Sequence, residues 1–385
     1  MKSGSSLIEG IGSHGDVAYF CFFDEVSRLE GREILVRGSG YVEMNRGDRN
    51  FLQASVNRIL SGEGAAYGIA PVYVGYDYAS EAFPELSLTR SAWPIAIAMI
   101  PSEVRRGTFC RQEDSARGHR TVPMSASLDE LPIEELRDRI RGGELLQCVI
   151  SKEFPIEGVD VHRYLERFLN SDRSSYVFYF RFGKYEVLGS SPENLVSMTN
   201  RELKMKPIAG TRPRRENNEE DMELAESLRN DEKELLEHRM LVDLARNDLG
   251  RISMPGSVRV TRSMEVQKFA TVQHLVSTVE STREERYTVD DVLRAVFPAG
   301  TVSGAPKRRA VELINKYEKT PRGPYAGCIG LAGKGYLDLA LTIRTVYGIG
   351  GRYSVRAGAG IVKDSIAEKE QQEILAKAAS ATGGA

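Results

Sequence analysis

Two pairs of glutamates are spaced three residues apart in the chain, Glu234 with Glu237 and Glu370 with Glu373. If each segment is helical, both members of a pair project from the same helix face. Two such faces brought together would present four carboxylates, which suit a hard cation such as Mg²⁺ that keeps several of its waters. The same spacing is common on solvated helix faces, so the pairs alone indicate a magnesium site only weakly.

Three glycine-rich segments follow apolar stretches, at residues 207–214, 297–307 and 356–361. Each could bring backbone N–H groups close to an anion, although any one of them is more often a tight turn. The third resembles part of a dinucleotide fingerprint, but a lysine stands where the last glycine is needed, and no Walker-type phosphate loop is present. Together with Arg344 and Lys377, the three segments indicate an anionic substrate.

Helices and strands must position these residues, and both are visible as periodic patterns. The predicted helices are at 51–60, 132–141, 217–246 and 364–380, and the last two carry the glutamate pairs. The predicted strands are near 72–76, 146–154, 176–182, 185–188, 258–260, 325–331, 337–346 and 353–357. This order lacks a strict βαβ alternation and favours an α+β layered fold. The polar segment at 102–128 is predicted to be a surface connection between an N-terminal and a C-terminal part.

Composition restricts the class of partner. The chain has 385 residues, of which 41% are hydrophobic and 28% charged, and its formal net charge is -2. A nucleic-acid partner normally requires a basic surplus, so this balance argues against one. The four cysteines form no CxxC pair, which disfavours a structural zinc site or a disulfide framework. The sequence has no apolar stretch of about 18 residues and no apolar signal core near Met1, so we expect a cytoplasmic protein without a membrane span.

From about residue 132 to 379 the sequence resembles the chorismate-utilising enzyme family. The matching motifs occur in the family's order, and they are long enough to be specific. They are GSSPE at 189–193, PIAGTRPR at 207–214, EHRMLVDLARNDLGR at 237–251, FPAGTVSGAPK at 297–307, GPYAG at 323–327, LTIRT at 341–345 and AGAGIVKDS at 357–365.

The resemblance implies a fold and a magnesium-dependent chemistry. The family fold is an α+β sandwich of two large antiparallel sheets with flanking helices and an active site between the sheets. It implies a catalytic domain at 125–382 after an N-terminal region at 1–110. Glu237 and Glu373 would bind Mg²⁺, with Glu234 and Glu370 close by. Glu193 would act as the general acid that protonates the C4 hydroxyl of chorismate.

The remaining residues implied by the resemblance would surround the substrate. Thr211 and His274 would take part in catalysis, although a hydrogen-bonded core histidine is the competing interpretation of His274. Arg344, Tyr325 and the backbone at 358–360 would hold the enolpyruvyl carboxylate, and Lys377 would pair with a substrate carboxylate. The full set of implied substrate-binding residues is Gln147, Thr301, Tyr325, Arg344, Gly358, Ala359, Gly360 and Lys377.

Two positions distinguish the branches of the family. Isochorismate and salicylate synthases carry a water-activating lysine where Gln147 stands, and aminodeoxychorismate synthases carry a nucleophilic lysine where Ala209 stands. Neither residue present here can do that chemistry. The resemblance therefore implies the anthranilate synthase branch, which converts chorismate and ammonia to anthranilate and pyruvate. The alternatives are an aminodeoxychorismate synthase without its lysine and a non-catalytic anion- and metal-binding module.

The resemblance also implies partners. A glutamine amidotransferase subunit would supply the ammonia, in a heterotetramer, because no segment of this chain resembles an amidotransferase domain. Tryptophan would be a feedback inhibitor bound by an LLES-like segment, here Leu7, Glu9 and Gly10, and by a PSPYM-like segment, here Ser175 and Tyr176. Gly10 replaces the serine of the first motif and the second motif lacks its proline, so both departures weaken this expectation.

Overall fold

The computed structural model describes residues 7–12, 14–23, 30–111, 131–170, 172, 174–215, 217–268 and 272–382. Most of the predicted connection at 102–128 lies outside these ranges. The part at 102–110 is not a loop, because it belongs to the strand Ala96–Cys110, which pairs along its length with the strand Glu30–Glu43. Ladder hydrogen bonds to a long partner strand sustain the extended backbone even where the side chains are polar.

Helices and strands alternate irregularly along the described chain. The strands are β1 (Val17–Phe23), β2 (Glu30–Glu43), β3 (Ile69–Val74), β4 (Ala96–Cys110), β5 (Gln147–Ile156), β6 (Tyr176–Phe182), β7 (Tyr185–Ser191), β8 (Asn194–Thr199), β9 (Glu202–Met205), β10 (Ile208–Pro213), β11 (Arg259–Lys268), β12 (Val272–Thr282), β13 (Gly304–Ala305), β14 (Cys328–Gly333), β15 (Tyr336–Leu341), β16 (Thr345–Ile349) and β17 (Arg352–Ile361). The helices are α1 (Phe51–Ser61), α2 (Ala79–Ala82), α3 (Ile133–Arg141), α4 (Val161–Asn170), α5 (Asn218–Asn230), α6 (Glu232–Gly250), α7 (Val289–Val296), α8 (Lys307–Tyr317) and α9 (Ala367–Thr382). Short 3₁₀ turns lie at Leu7–Gly10, Tyr76–Tyr78 and Gly300–Val302.

The prediction of one helix at 217–246 is wrong, because Asp231 divides it into α5 and α6. Asp231 has an extended backbone (φ -76°, ψ 103°), and its side chain accepts hydrogen bonds from the N–H groups of Lys233 and Glu234. These N–H groups have no partner within the helix, so an aspartate cap starts a new helix here. Helix α6 therefore begins just before the first glutamate pair and carries it in its first two turns.

The predicted strand at 337–346 is also divided, and the break falls at a candidate site residue. β15 ends at Leu341 and β16 begins at Thr345. Between them Arg344 has a left-handed backbone with φ 50°. This conformation is uncommon for a residue with a Cβ atom and marks local strain. In the same way, the strand predicted at 325–331 begins only at Cys328, so Tyr325 lies in the preceding turn.

The 17 strands found among the described residues form one hydrogen-bonded network in which every pairing is antiparallel. Strand β1 pairs with β6, and β3 pairs with β14, so strands from the predicted N-terminal region pair with strands from the predicted catalytic domain. The α+β class with a large antiparallel sheet and flanking helices is confirmed. The domain boundaries at 1–110 and 125–382 stay a prediction.

Alternation along the strands builds one apolar core on each side of the sheet. In β1, Phe20 packs into the first core, whereas Tyr19 packs into the second. In β6, Phe180 and Tyr179 divide in the same way. This follows from the period of two, which points successive side chains to opposite faces.

The two helices that carry the glutamate pairs pack against different strands of this sheet, near opposite ends of its hydrogen-bonded order. Helix α6 packs against β10 and β12, and α9 packs against β17. In the described ranges, no helix combines the length and the apolar composition that crossing a membrane requires.

Candidate active site

A cavity of about 570 Å³ lies between α6, α9 and the strands β5, β10 and β17. Its size falls in the range of small-molecule sites. Most of the site residues predicted from the sequence line it, although they come from segments far apart in the chain. The predicted residues that line the cavity are Gln147, Glu193, Thr211, Glu234, Glu237, Thr301, Tyr325, Arg344, Gly358, Gly360, Glu370, Glu373 and Lys377.

Glu193 lies in the turn between β7 and β8 and faces the cavity. Burial raises the pKa of its carboxyl to about 7, and the opposing effects of Thr301, Lys377 and Arg344 are smaller. The Thr301 hydroxyl donates a hydrogen bond to Oε1 of Glu193 at 2.7 Å. A carboxyl group with a pKa near neutrality can hold a proton and release it to a substrate oxygen, as a general acid must.

The four glutamates line the cavity from two helices. Burial, and then the neighbouring Glu234 carboxylate, raise the pKa of Glu237. Burial raises the pKa of Glu370, with Glu373 adding to the effect. Nearby carboxylates repel one another, and a bound cation would relieve that repulsion.

The carboxylates do not form a ready-made metal cage. Among the described residues, no three His, Cys, Asp or Glu side chains converge closely enough to hold a metal ion. Mg²⁺ is usually held by one or two carboxylates together with waters and substrate oxygens, and it does not need a cage of protein ligands. The donor set of hard oxygens on facing helices fits such a cation.

Lys377 and Glu373 are paired with each other. Nζ of Lys377 lies 2.5 Å from Oε1 of Glu373, one helical turn away, and it also donates to the carbonyl oxygen of Gly358 at 3.2 Å. Both side chains are about half exposed, at 50% and 47%. The groups predicted to bind the metal and a substrate carboxylate therefore neutralise one another in this structure.

Two glycines of β17 keep one wall of the cavity open. A Cβ atom at Gly358 would lie 2.7 Å from both the Tyr325 hydroxyl and the carbonyl oxygen of Ile150. A Cβ atom at Gly360 would lie 2.5 Å from Nε2 of Gln147. Both distances are below van der Waals contact, so a side chain at Gly358 would force Tyr325 and the backbone of β5 to shift, and one at Gly360 would displace the amide of Gln147. Gln147 itself is buried, and its Oε1 makes no hydrogen bond within the described residues.

His274 and Ala359 are absent from the residues that line the cavity. Nδ1 of His274 lies 3.0 Å from Oγ1 of Thr211 and 2.9 Å from the carbonyl oxygen of Gly210. His274 therefore contacts two residues of the cavity wall, Thr211 and Gly210, and its catalytic role stays a prediction. The methyl group of Ala359 packs in the second core. Only its backbone is available to a ligand.

Among the described residues, the two segments predicted to bind tryptophan make different contacts. Leu7 packs against the second core, and its N–H donates to Glu33 at 3.4 Å. Ser175 and Tyr176 instead line a separate cavity of about 140 Å³, whose wall includes none of Leu7, Glu9 and Gly10. Tryptophan binding stays a prediction.

The sequence analysis missed Lys233 and Arg356, two cations that line the cavity. Each had a signal in the sequence. Lys233 directly precedes Glu234 at the start of α6. Arg356 stands two residues before Gly358, and the period of two in a strand places both on the same face.

Comparison with known proteins gives one family and several relatives. Residues 130–383 match the family described as chorismate binding enzyme. A relative from Aeropyrum pernix named anthranilate synthase component 1 is 43% identical over 274 residues, which cover 70% of this chain and 62% of the relative. A protein of the same name from Thermococcus kodakarensis is 39% identical over 352 residues, covering 89% of this chain and 77% of the relative.

A solved structure agrees with these relatives. The crystal structure of anthranilate synthase component I from Streptococcus pneumoniae has a TM-score of 0.78 and 31% identity, and the match covers 97% of this chain and 93% of that chain. Against several of the curated relatives the coverage is lower. The chain spans 62%, 53% and 50% of the lengths of three of them, between half and two thirds.

Proposed function

The chain belongs to the chorismate binding enzyme family, and we propose that it converts chorismate and ammonia to anthranilate and pyruvate, as the large component of an anthranilate synthase. One observation carries the proposal. A single cavity is lined by a carboxyl group with a pKa near 7, by four further glutamates and by the cations Arg344 and Lys377. An acid, a site for a hard cation and groups for a dicarboxylate are the parts that this reaction requires.

The residues that line the cavity would bind the substrate and protonate its leaving group. Arg344, Tyr325 and the open wall at Gly358 would hold the enolpyruvyl carboxylate. Glu193 would donate its proton to the C4 hydroxyl, which leaves as water while ammonia attacks C2 of the ring. Loss of a ring proton and of the enolpyruvyl group as pyruvate then gives the aromatic product.

Glu237 and Glu373 would hold Mg²⁺, with Glu234 and Glu370 beside them or acting through water. When bound, the ion would neutralise the ring carboxylate of chorismate and polarise the leaving hydroxyl. The chain's own contribution is to keep these carboxylates facing one cavity from α6 and α9. Their mutual repulsion favours a cation over a neutral occupant.

Two positions support ammonia over other nucleophiles. Gln147 has no basic group that could activate water, and the buried Ala209 has no amine that could attack the ring. The nucleophile would therefore be free ammonia and not a side chain of this protein.

A separate glutamine amidotransferase subunit is the proposed source of ammonia. Burial raises the pKa of Cys148 to about 12 and also raises the pKa values of Cys21 and Cys328. Buried, protonated thiols cannot attack a glutamine amide. Cys110, the fourth cysteine, is exposed at the end of β4 and lies outside the residues that line the cavity. Tryptophan is the proposed feedback inhibitor of the assembled enzyme.

The test is incubation of the purified chain with chorismate, Mg²⁺ and an ammonium salt, followed by chromatography of the products. Anthranilate with an equal amount of pyruvate is expected, and glutamine should replace the ammonium salt only when the amidotransferase is added. Aminodeoxychorismate without pyruvate would instead identify the chain as an aminodeoxychorismate synthase. Loss of product in Glu193→Gln with unchanged chorismate binding would separate catalysis from binding.

A further inference from the structure

The 3₁₀ turn Gly300–Val302 presents Thr301 to the proposed general acid, and the hydrogen bonds within this turn are long. The N–H groups of Val302 and Ser303 each donate to the carbonyl oxygen three residues earlier, at 3.2 and 3.3 Å, whereas about 2.9–3.0 Å is typical. A short turn with weak internal bonds does not hold a side chain in one place by itself. The hydrogen bond from Thr301 to Glu193 therefore depends on what holds the turn from outside.

Arg322, in the connection between α8 and β14, binds the end of this turn. Its Nη1 donates to the carbonyl oxygen of Val302 at 2.6 Å, and its Nη2 donates to that of Val149 in β5 at 2.8 Å. Val302 is the last residue of the turn, so its carbonyl oxygen must find a partner elsewhere. The N–H of Val149 in return donates to the carbonyl oxygen of Ser303 at 2.9 Å. One guanidinium thus joins the turn to a strand that borders the cavity.

A buried carboxylate fixes the position of Arg322. Glu318, directly after α8, accepts hydrogen bonds from Nε of Arg322 at 2.9 Å and from Nη2 at 2.6 Å. Arg356 donates to the same carboxylate at 2.8 Å, and the N–H and hydroxyl of Ser151 donate to it at 2.8 and 2.7 Å. The side chains of Arg322 and Glu318 are 1% and 4% exposed. A planar guanidinium with several charge-assisted bonds away from water is held in one orientation, so it can fix the turn.

Arg322 is connected to the general acid only through this turn. It is absent from the residues that line the cavity, whereas Val302 and Val149 are among them. The charged groups that act on the pKa of Glu193 are Lys377 and Arg344. Any influence of Arg322 on the acid must therefore pass through the position of the turn.

We propose that Arg322 is a positioning residue for catalysis, which fixes the turn Gly300–Val302 so that Thr301 keeps its hydrogen bond to Glu193. Glu318 in turn holds Arg322. The inference rests on the proposed function for the role of Glu193 as the general acid. Arg322 lies outside the sequence motifs that indicated the site, and its contacts alone assign this role.

The experiment follows the ionisation of Glu193 in the substrate-free chain by ¹³C NMR of its labelled carboxyl group, with Glu193→Gln to assign the resonance. Loss of the bond from Thr301 removes an interaction that favours the charged form, so the pKa of Glu193 should rise. Arg322→Met is expected to raise the titration midpoint by about one pH unit, the value of one charge-assisted hydrogen bond. The alkaline limb of the pH–rate profile for anthranilate formation should move in the same direction.

A double variant separates this role from a general structural effect. Arg322→Met combined with Thr301→Val should titrate at the same pH as Thr301→Val alone, because the same hydrogen bond is already missing. A midpoint in the double variant that equals the sum of the two single shifts would overturn the inference. An unchanged or lower midpoint in Arg322→Met alone would also overturn it.

A matched control is Arg111→Met. Arg111 is also buried and donates from Nε to a backbone carbonyl oxygen, that of Leu169, at 2.6 Å, but it lies outside the cavity, so its loss should leave the midpoint unchanged. If Arg322→Met does not fold, Arg322→Lys keeps the charge without the planar fork and takes its place with the same expected outcomes. Failure of the wild type to form anthranilate would overturn the proposed function, whereas the titration of Glu193 decides the positioning role without turnover.

Discussion

Thr301 donates its hydroxyl to Oε1 of Glu193 at 2.7 Å, across 108 residues of chain. The bond stabilises the ionised carboxylate and so lowers the pKa of Glu193, whereas burial raises it by more, to about 7. Burial and this hydrogen bond are therefore the two largest of the opposing effects on the pKa of the proposed general acid, ahead of Lys377 and Arg344. The hydroxyl belongs to the 3₁₀ turn Gly300–Val302 within one of the glycine-rich segments.

The first prediction concerns the pH dependence of turnover. Only protonated Glu193 can donate, so kcat should be constant well below pH 7 and should fall about tenfold per pH unit well above it. Thr301→Val removes an interaction that favours the charged form, so the alkaline limb should move to higher pH. The measurement is a pH–rate profile at a fixed concentration of unprotonated ammonia. Thr301→Ser retains the hydroxyl and serves as the control, and an alkaline limb that Thr301→Val does not move would contradict the assignment.

The second prediction concerns the ion pair between Lys377 and Glu373. Lys377→Met frees Glu373 from its counter-charge, so Mg²⁺ should bind more tightly in the absence of chorismate. Since both side chains are half exposed, the gain should be modest, about two- to fivefold. Chorismate should bind more weakly to the same variant, because a cation that faces its carboxylate is lost. Calorimetric titration with Mg²⁺ measures the first effect, and Lys369→Met, an exposed lysine on the same helix, is the control. Equal Mg²⁺ affinity in both variants would show that the ion pair does not compete with the metal.

The third prediction concerns the proposed metal ligands. Glu373→Gln keeps the shape of the side chain but removes its charge, and it should abolish Mg²⁺-dependent formation of anthranilate. Glu237→Gln should have the same effect from the opposite helix. Glu368→Gln changes an exposed glutamate of α9 outside the cavity and should retain wild-type activity. Normal turnover in Glu373→Gln would remove the basis for the magnesium assignment.

The fourth prediction concerns the open wall at Gly358. Gly358→Ala places a methyl group 2.7 Å from the Tyr325 hydroxyl, so Tyr325 or β17 must shift. We expect a loss of about 1–3 kcal/mol in the free energy of unfolding, as for other overpacked sites, and weaker chorismate binding. Gly250→Ala is the control, because a Cβ atom there meets nothing within 4 Å. Thermal unfolding and chorismate titration of both variants check the prediction, and equal results for the two would contradict it.

The fifth prediction concerns a buried ion pair behind the site. Nζ of Lys307 lies 2.5 Å from Oδ2 of Asp248, and burial raises the pKa of Asp248 to about 6 while it lowers the pKa of Lys307. Lys307→Met leaves the aspartate buried without a partner and should cost about 3–5 kcal/mol in the free energy of unfolding. The double variant Lys307→Met with Asp248→Leu should recover most of that loss. Denaturant unfolding of both variants decides between these outcomes, and an equal loss in the two would mean that the unpaired charge is not the cause.

Local features of this protein follow from its sequence because they depend on residues close together in the chain. The spacing of three places Glu370 and Glu373 on one face of α9, and alternation divides β1 between two cores. The ordered motifs also indicated the family and most of the residues that line the cavity. The break between α5 and α6 also has a local cause, the aspartate cap at Asp231. The prediction missed this break because the helical pattern of the sequence continues across it.

Only the tertiary structure decided the features that depend on distant groups. Glu193 acquires a pKa near 7 because other segments bury it, and no pattern around residue 193 contains that information. His274 lies beside Thr211 because β10 and β12 pair in one particular register. The position of Arg356 depends on Glu318, 38 residues earlier in the chain. Burial, strand register and buried ion pairs are properties of the packed chain, so the spacing of residues in the sequence could suggest the chemistry of the site but not its geometry.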